Sequence, residues 1–346
     1  MSRTRPVIPS RHAVALALAL LGTLGAAHAQ DDLSRWKLPP APIPADNPQS
    51  DAKIALGHQL AFDTRLSKNH ALSCASCHVP FAGGAGITPR AFGQGGELGR
   101  WAPSWDNSAY YTSLFWDGRA SSLEQQTGAL PHHMGPLTAP GEMGGTMRED
   151  VATVNAIPGY RKQFHAVFHS DATPENIAKA IASFERTLIA TQAPFQRYVA
   201  GDTHAIGPAA KRGFALFQGK ALCTACHVPP TLTDNNYHDI GVPQVGPLKE
   251  DAGRGAVTKD PTDVRRFKTP SLYNAGSLAF YMHDGAYATL PEVVAHYNRG
   301  GDRADKNQDP LIQPLHLTAQ EQRDLIAFLD TLTDQRLDQV ARPKLP

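Results

Sequence analysis

Cysteine, clustered charge and long apolar runs are all scarce in this sequence of 346 residues. Lys and Arg number 33 against 32 Asp and Glu, and no basic block interrupts the chain. A nucleic-acid-binding protein is therefore not expected, because such proteins carry a basic stripe or patch. The 41% of hydrophobic residues is enough for a core, and the length is enough for two domains.

The only long apolar run lies at the N-terminus, over residues 13–24. Three arginines precede it, and Ala27-His28-Ala29 has the small-x-small form of a signal-peptidase site. The run is too short to span a bilayer comfortably, so we favour a cleavable signal peptide over 1–29 rather than a membrane anchor. The mature protein is then expected in the periplasm, with no membrane span.

The four cysteines form two CxxC pairs, and a histidine follows each pair at once. The strings are Cys74-x-x-Cys77-His78 and Cys223-x-x-Cys226-His227. Two disulfides would leave the histidines unexplained. A structural zinc site usually holds its two pairs closer in sequence, and a thioredoxin-like site needs a βαβ context that is not visible.

The CxxCH string is the attachment motif of c-type haem. Its two thiols add to the haem vinyl groups, and the next residue places its imidazole under the iron. The sequence therefore predicts two covalently bound c-type haems, held by all four cysteines, with His78 and His227 as proximal iron ligands. The periplasm, where such haems are attached, agrees with the predicted export.

The pattern of the mature chain predicts an all-α fold of short helices around the haems, because strand-like alternation is scarce. Helices are predicted over 51–62 and 209–217, from Thr173, which can cap a helix with Pro174 in its first turn, and from Thr318. Glu321 would complete a capping box with Thr318. A proline-rich lead-in over 30–50 reads as extended chain.

An internal repeat relates the two halves. Residues match those 167 positions later at six places without a gap: Pro103, Ser104, Asn107, Asp117, Gly118 and Leu123. Each half carries a CxxCH, a Pro-Ser segment and an Asp-Gly turn that opens a helix. The simplest account is duplication of one haem domain, which predicts cytochrome c-like domains over 51–203 and 204–346.

Several segments resemble one known family. Phe115-Trp116-Asp117-Gly118-Arg119-Ala120, with Leu123-Glu124, resembles the FWDGRA-x-x-LE segment of the bacterial di-haem cytochrome c peroxidases and their MauG-type relatives. Segments 63–67, 266–272 and 282–285 are similar to that family too. The resemblance covers nearly the whole mature chain.

The resemblance implies a division of labour between the haems. The N-terminal haem would reduce hydrogen peroxide, and the C-terminal haem would relay electrons from a small carrier, a cytochrome c or a cupredoxin. Glu124 falls where the family places its distal acid–base carboxylate; alternatively, it only caps or solvates the helix. Trp101, Trp105 and Trp116 are candidates for inter-haem electron transfer, although core packing explains each equally well. A homodimer is common in the family.

Three departures from the peroxidases bear on the site. The Gly-rich loop after the first motif has Gln94 and no histidine, so the first haem is expected to be open, although His70, His132 and His133 are other possible ligands. Tyr297 stands where the peroxidases have the methionine ligand of the second haem, as in MauG-type proteins; Met282, His296 or an open site are the alternatives. Calcium is doubtful, because Trp101 replaces an asparagine of the usual calcium site.

Three functions follow from these observations. The leading prediction is a hydrogen peroxide reductase. The second is a MauG-type oxidase that uses a high-valent di-haem state to oxidise a protein or organic substrate at a distance, which Gln94 and Tyr297 favour. The third is a non-catalytic di-haem electron-transfer cytochrome, which requires both irons to be six-coordinate.

Overall fold

The computed structural model describes residues 33–130, 132, 134–304 and 306–346. The predicted signal peptide and His133 lie outside the described residues. Eleven α-helices lie in this part of the chain: α1 (Asp51–Phe62), α2 (Cys74–Cys77), α3 (Leu123–Gln126), α4 (Met147–Ala156), α5 (Pro158–Phe168), α6 (Pro174–Glu185), α7 (Pro194–Val199), α8 (Pro208–Gln218), α9 (Gly255–Thr258), α10 (Leu290–Arg299) and α11 (Ala319–Asp330). Within the described residues, no helix is long and apolar enough to cross a bilayer.

Within the described residues, the strands form two small antiparallel pairs. β1 (Phe92–Gly93) pairs with β2 (Gly96–Glu97), and β3 (Tyr237–His238) pairs with β4 (Phe267–Lys268). The prediction of a helical fold is therefore confirmed, with these short pairs as the addition.

The helix ends follow the local chemistry of the sequence. α1 occupies the predicted span, and α6 begins after Thr173, whose side chain accepts a hydrogen bond from the backbone N–H of Asn176. α11 begins with the predicted capping box between Thr318 and Glu321. Each cap satisfies backbone N–H groups that a helix start leaves without partners.

Each half contains a pair of helices that cross at a glycine. A Cβ atom on Gly57 of α1 would lie 1.8 Å from the backbone oxygen of Ala180 in α6. A Cβ atom on Gly213 of α8 would lie 1.9 Å from the backbone oxygen of Asp324 in α11. Both helix pairs therefore require glycine at the crossing point, because any larger residue would force the backbones apart.

The segments that match in sequence also share their backbone conformation. Asn107 and Asn274 are left-handed, with φ of 59° and 63°. Gly118 and Gly285, which close the two Asp-Gly turns, both have φ of 69°. An isolated bridge joins residues 114 and 120, and a second joins 281 and 287. The two halves thus share local backbone conformation at these matching positions, over 107–120 and 274–287.

A continuous apolar core joins the two halves. It includes Phe62 and Phe184 from the N-terminal half, and Phe214 and Phe328 from the C-terminal half. Trp36, which precedes the proline-rich stretch, is fully buried and packs edge-on against Phe214 with ring centroids 4.8 Å apart. The described part of the lead-in is therefore part of the packed structure, with a helical turn at 33–34 and a second turn at 45–47.

Candidate functional site

The first CxxCH lies on α2 and the residue that follows it. The Ser73 and Ser76 side chains cap this short helix. The Nδ1 atom of His78 lies 2.8 Å from the carbonyl oxygen of Pro103, and the imidazole stacks on Trp105 with ring centroids 5.6 Å apart. A carbonyl acceptor fixes the proton on Nδ1, which leaves the Nε2 lone pair free to bind a metal.

The second CxxCH has the same histidine geometry. The Nδ1 atom of His227 lies 2.8 Å from the carbonyl oxygen of Leu232. All four cysteines are free thiols, which excludes the two-disulfide alternative in this structure. Burial raises the pKa of Cys74 and of Cys223 to about 12.

The first motif borders a cavity of about 590 Å³. Among the described residues, His78 is the only histidine that lines it. Polar side chains on its wall include Arg119, Gln126, Glu142 and Glu185. Burial raises the pKa of Glu142, although the Arg119 guanidinium at 3.8 Å acts in the opposite direction. The cavity therefore presents a carboxyl group that is easily protonated.

Glu142 is held in place by the β1–β2 hairpin. Its backbone oxygen accepts a hydrogen bond of 2.8 Å from the Gln94 N–H, and Gly93 packs directly on Gly141. Sequence reasoning missed Glu142, because the surrounding stretch is rich in Gly and Pro and has no helical or strand period. Its one visible signal was an acidic residue between glycines, Gly141-Glu142-Met143-Gly144.

Glu124, the acid–base group that the resemblance predicts, is not among the residues that line the first cavity. Both of its oxygens accept hydrogen bonds from Arg186, at 2.7 and 3.0 Å, and Asn47 donates a third at 2.8 Å. Burial alone would raise the pKa of Glu124, but these hydrogen bonds hold it below its usual value. Glu124 therefore joins α3 to α6 and to the lead-in, because its side-chain hydrogen bonds go to Arg186 and Asn47.

Two of the alternative sixth ligands of the first haem also lie elsewhere. His70 and His132 are exposed, and neither lines the first cavity. The Gln94 side chain bonds to Asn69 instead.

The second motif borders a narrower cavity of about 220 Å³ that is mostly apolar. Tyr297 on α10 lines it, together with Met282 and His283. Burial, and then the nearby Cys223 and Cys226, raise the pKa of Tyr297, and its hydroxyl has no hydrogen-bond partner in the described part of the chain.

His296 does not suit the role of an alternative ligand. Its Nε2 atom lies 3.0 Å from the carbonyl oxygen of Ile240. Its Nδ1 atom lies 3.0 Å from the Tyr287 hydroxyl and 3.2 Å from Asp302. Both nitrogens are occupied, and His296 does not line the cavity. With His296 set aside, Tyr297, Met282 and His283 are the candidate iron ligands on the wall of this cavity.

Two of the three candidate tryptophans lie between the cavities. Trp101 and Trp116 line both cavities, whereas Trp105 lines only the first. The Trp116 Nε1–H donates to the Trp101 carbonyl oxygen at 3.0 Å, and the Trp101 Nε1–H donates to Gly86 at 2.9 Å. The two rings are therefore fixed in position between the sites.

Within the described residues, three further side chains lie close enough together to be metal ligands. They are Cys226, Asp234 and His238. Hydrogen bonding to Asp234 chiefly raises the pKa of His238 to about 11. Because Cys226 is also one of the two thiols of the second CxxCH, this group overlaps the candidate haem attachment site.

A helical scaffold with two cavities, each bordered by a CxxCH motif, defines a protein built around two haems. The family model for di-haem cytochrome c peroxidase matches residues 51–204. The cytochrome-c peroxidase IdrP1 of Pseudomonas sp. (strain SCT) is 38% identical, over 96% of this chain and 94% of that protein. The methylamine utilization protein MauG of Methylorubrum extorquens is 40% identical, over 92% and 89%.

A solved MauG-like protein associated with microbial copper homeostasis superimposes with a TM-score of 0.81 at 33% identity, covering 89% of this chain and 97% of that chain. The diheme peroxidase BthA from Burkholderia thailandensis shares the fold, with a TM-score of 0.73 at 22% identity. The chain belongs to the di-haem cytochrome c peroxidase family, which includes the MauG proteins, and it is a haem-dependent oxidoreductase.

Proposed function

We propose that the chain is an exported peroxidase that reduces hydrogen peroxide to water with two electrons from a small redox protein. The observation that carries this proposal is the difference between the cavities. The first has the half-buried carboxyl group of Glu142 and no described histidine besides His78, whereas the second has Tyr297 on its wall. One site is suited to bind and protonate a substrate, and the other to hold a ligated relay iron.

The residues present fit two covalently bound c-type haems. Each cavity has two free thiols beside it and a half-buried imidazole whose Nδ1 is fixed by a carbonyl oxygen. The repeated backbone around both sites supports an origin by duplication of one haem domain. Haem iron, when bound, supplies the metal centre for peroxide and the path for electrons.

Glu142 is proposed as the group that moves a proton at the first site. Cleavage of hydrogen peroxide requires a proton to leave one oxygen and reach the other. A carboxylate in the cavity wall can accept that proton and return it. Burial raises the pKa of Glu142 and so brings that pKa closer to neutral pH. A pKa nearer neutral pH favours both the acceptance of the proton and its return. Arg119, 3.8 Å away, fixes the charge of the ionised form.

Tyr297 is proposed as the sixth ligand of the second haem, and Trp101 with Trp116 as the aromatic bridge. An anionic tyrosinate ligand lowers the potential of an iron relative to methionine. The mostly apolar wall of the second cavity would keep water away from a haem held there.

A MauG-type oxidase is the second candidate, and the position of Tyr297 favours it. Such an enzyme would use peroxide to oxidise a protein or organic substrate rather than to consume carrier electrons. The two candidates differ in what happens when peroxide is added without a donor. A long-lived oxidised form of the protein supports the oxidase, and rapid return to the resting form supports the peroxidase.

The experiment that tests the proposed function is a turnover assay on the holoprotein. Reduced cytochrome c or reduced cupredoxin is mixed with the enzyme, and its oxidation is followed after peroxide is added. We expect two carrier molecules oxidised for each peroxide consumed. Absence of turnover with either carrier, and with no stable oxidised form, would leave the electron-transfer cytochrome as the better account.

A further inference from the structure

One basic residue borders both cavities in the part of the chain that the structure describes. Lys268, the last residue of β4, lines the first cavity and the second. Its backbone N–H donates to the Trp116 carbonyl oxygen at 2.8 Å. The backbone pairing of β3 and β4 sets Lys268 opposite Tyr237. Lys268 is therefore fixed beside the tryptophan that separates the two sites.

The ammonium group of Lys268 has only weak partners. It is buried, lies 3.4 Å from the Thr269 carbonyl oxygen and sits 3.6 Å from the centre of the Tyr111 ring. Neither partner carries a negative charge. The nearby Asp234 is bound to His238 at 3.0 Å. A buried ammonium without an anionic partner is costly, so this site is suited to a carboxylate that comes from outside the chain.

Haem carries propionate carboxylates, which are anions of the right kind. Other basic residues border one cavity only: Arg100 and Arg119 the first, Arg265 the second. We propose that Lys268 is a shared counter-cation that pairs with haem propionates at the boundary of the two cavities and raises the reduction potentials of both haems. This inference rests on the proposed function, because it requires a haem in each cavity.

The physical basis is the field of one fixed charge. A cation stabilises the reduced form of a haem, which has one positive charge fewer than the oxidised form. Interactions of this kind are strong inside a protein, because the local dielectric is low. Burial lowers the pKa of Lys268 to about 7, with Asp234 acting in the opposite direction. A propionate beside the amine would keep it charged at neutral pH.

The test is a spectroelectrochemical titration of both haems in the holoprotein and three variants. Lys268→Met removes the charge and keeps the length, and Lys268→Arg keeps the charge. Lys220→Met is the matched control, because Lys220 is half exposed, pairs with Glu321 at 2.8 Å and lines neither cavity. For Lys268→Met we expect the equilibrium constant for one-electron reduction of each haem to fall at least about tenfold, which is 59 mV per haem.

Lys268→Arg and Lys220→Met are expected to keep both potentials near those of the unchanged protein. If Lys268→Met shifts the reduction potential of neither haem, or of one haem only, the shared role is overturned. If Lys268→Met fails to mature, resonance Raman of Lys268→Arg decides instead: shifted propionate bending bands of both haems support the pairing, and unchanged bands overturn it. An unchanged protein that carries fewer than two haems would overturn the proposed function itself, which keeps the two failures apart.

Discussion

The two cavities lie beside matching backbone turns but differ in the side chains that line them. The first is wide, about 590 Å³, with Glu142 and Glu185 on its wall; the second is about 220 Å³ and mostly apolar, with Tyr297. Each follows a CxxCH with its histidine Nδ1 fixed by a carbonyl oxygen. The residues that make the two cavities different therefore come from parts of the chain that follow the matching segments.

The point of divergence is the helix that follows each Asp-Gly turn. Both helices begin at the matching leucines, Leu123 and Leu290, after a capping Ser or Thr. α3 has four residues, and the chain turns away near Gly128, whose φ is 79°. α10 has ten residues and ends at Gly300. The longer helix delivers Tyr297 to its cavity, whereas the shorter one is followed by the loop that carries Glu142.

The largest expected effect comes from removing one haem motif at a time. We expect Cys74→Ser with Cys77→Ser, and separately Cys223→Ser with Cys226→Ser, each to lose one covalent haem and all turnover with a carrier. Intact mass spectrometry measures the haem count. Retention of two haems in either double variant would contradict the assignment of the motifs.

Replacing Glu142 tests the chemistry of the first cavity alone. Glu142→Gln should lower peroxide turnover by roughly 100- to 10,000-fold, the usual contribution of a general acid–base group. Absorption spectra of both haems should stay unchanged. Because burial raises the pKa of Glu142, the acid limb of the pH–rate profile should lie above the ordinary glutamate value of about 4.3, and the variant should lack it. Full activity in Glu142→Gln would refute the proposed role.

Glu124→Gln is the matched control, and its main effect should be on stability. It breaks a buried ion pair with Arg186, which should cost about 3 kcal/mol of unfolding free energy in urea. The pKa of Glu124 is depressed in the fold, so its stabilisation is present above about pH 4.3 and is lost as pH falls through the lower folded value. Turnover should fall far less than in Glu142→Gln, and an equal loss would restore the original prediction for Glu124.

Tyr297 tests the second cavity in the same way. Tyr297→Phe removes the proposed ligand oxygen, so the low-spin spectrum of one haem should change while the other haem keeps its spectrum. Electron paramagnetic resonance of the ferric holoprotein measures both. An unchanged low-spin signal would point to Met282 or His283 as the ligand.

The smallest expected effect concerns the boundary between the cavities. Trp116→Phe should slow electron transfer between the haems, because Trp116 lines both cavities, while Trp105→Phe should leave it nearly unchanged, because Trp105 lines only the first. Stopped-flow mixing of the half-reduced protein with peroxide gives both rates. Equal rates of inter-haem electron transfer in the two variants would show that Trp116 does not take part in that transfer.

The sequence was sufficient for what is local. The CxxCH strings, the span of α1, the Thr173 cap and the Thr318–Glu321 capping box depend on neighbouring residues, and the structure agrees at each helix end. The ion pair of Glu124 could not be predicted in this way, because its partner, Arg186, lies 62 residues away. Such a distant pairing leaves no periodic trace in the chain.

Glu142 was missed for a related reason. It lies in an irregular loop whose position depends on a hairpin about 45 residues earlier, through the Gln94 N–H and the contact of Gly93 with Gly141. Loop residues obey no helical or strand period, so only the folded chain brings Glu142 into the cavity. The shared position of Lys268 likewise becomes visible only when both cavities are seen together.

The most direct test of the account is an electron paramagnetic resonance spectrum of the ferric holoprotein with both haems attached. The account predicts one high-spin signal, from an iron open to peroxide in the first cavity, and one low-spin signal, from an iron ligated in the second. Two low-spin signals would contradict it, because the first site would then be closed and the two cavities would not differ in the way proposed.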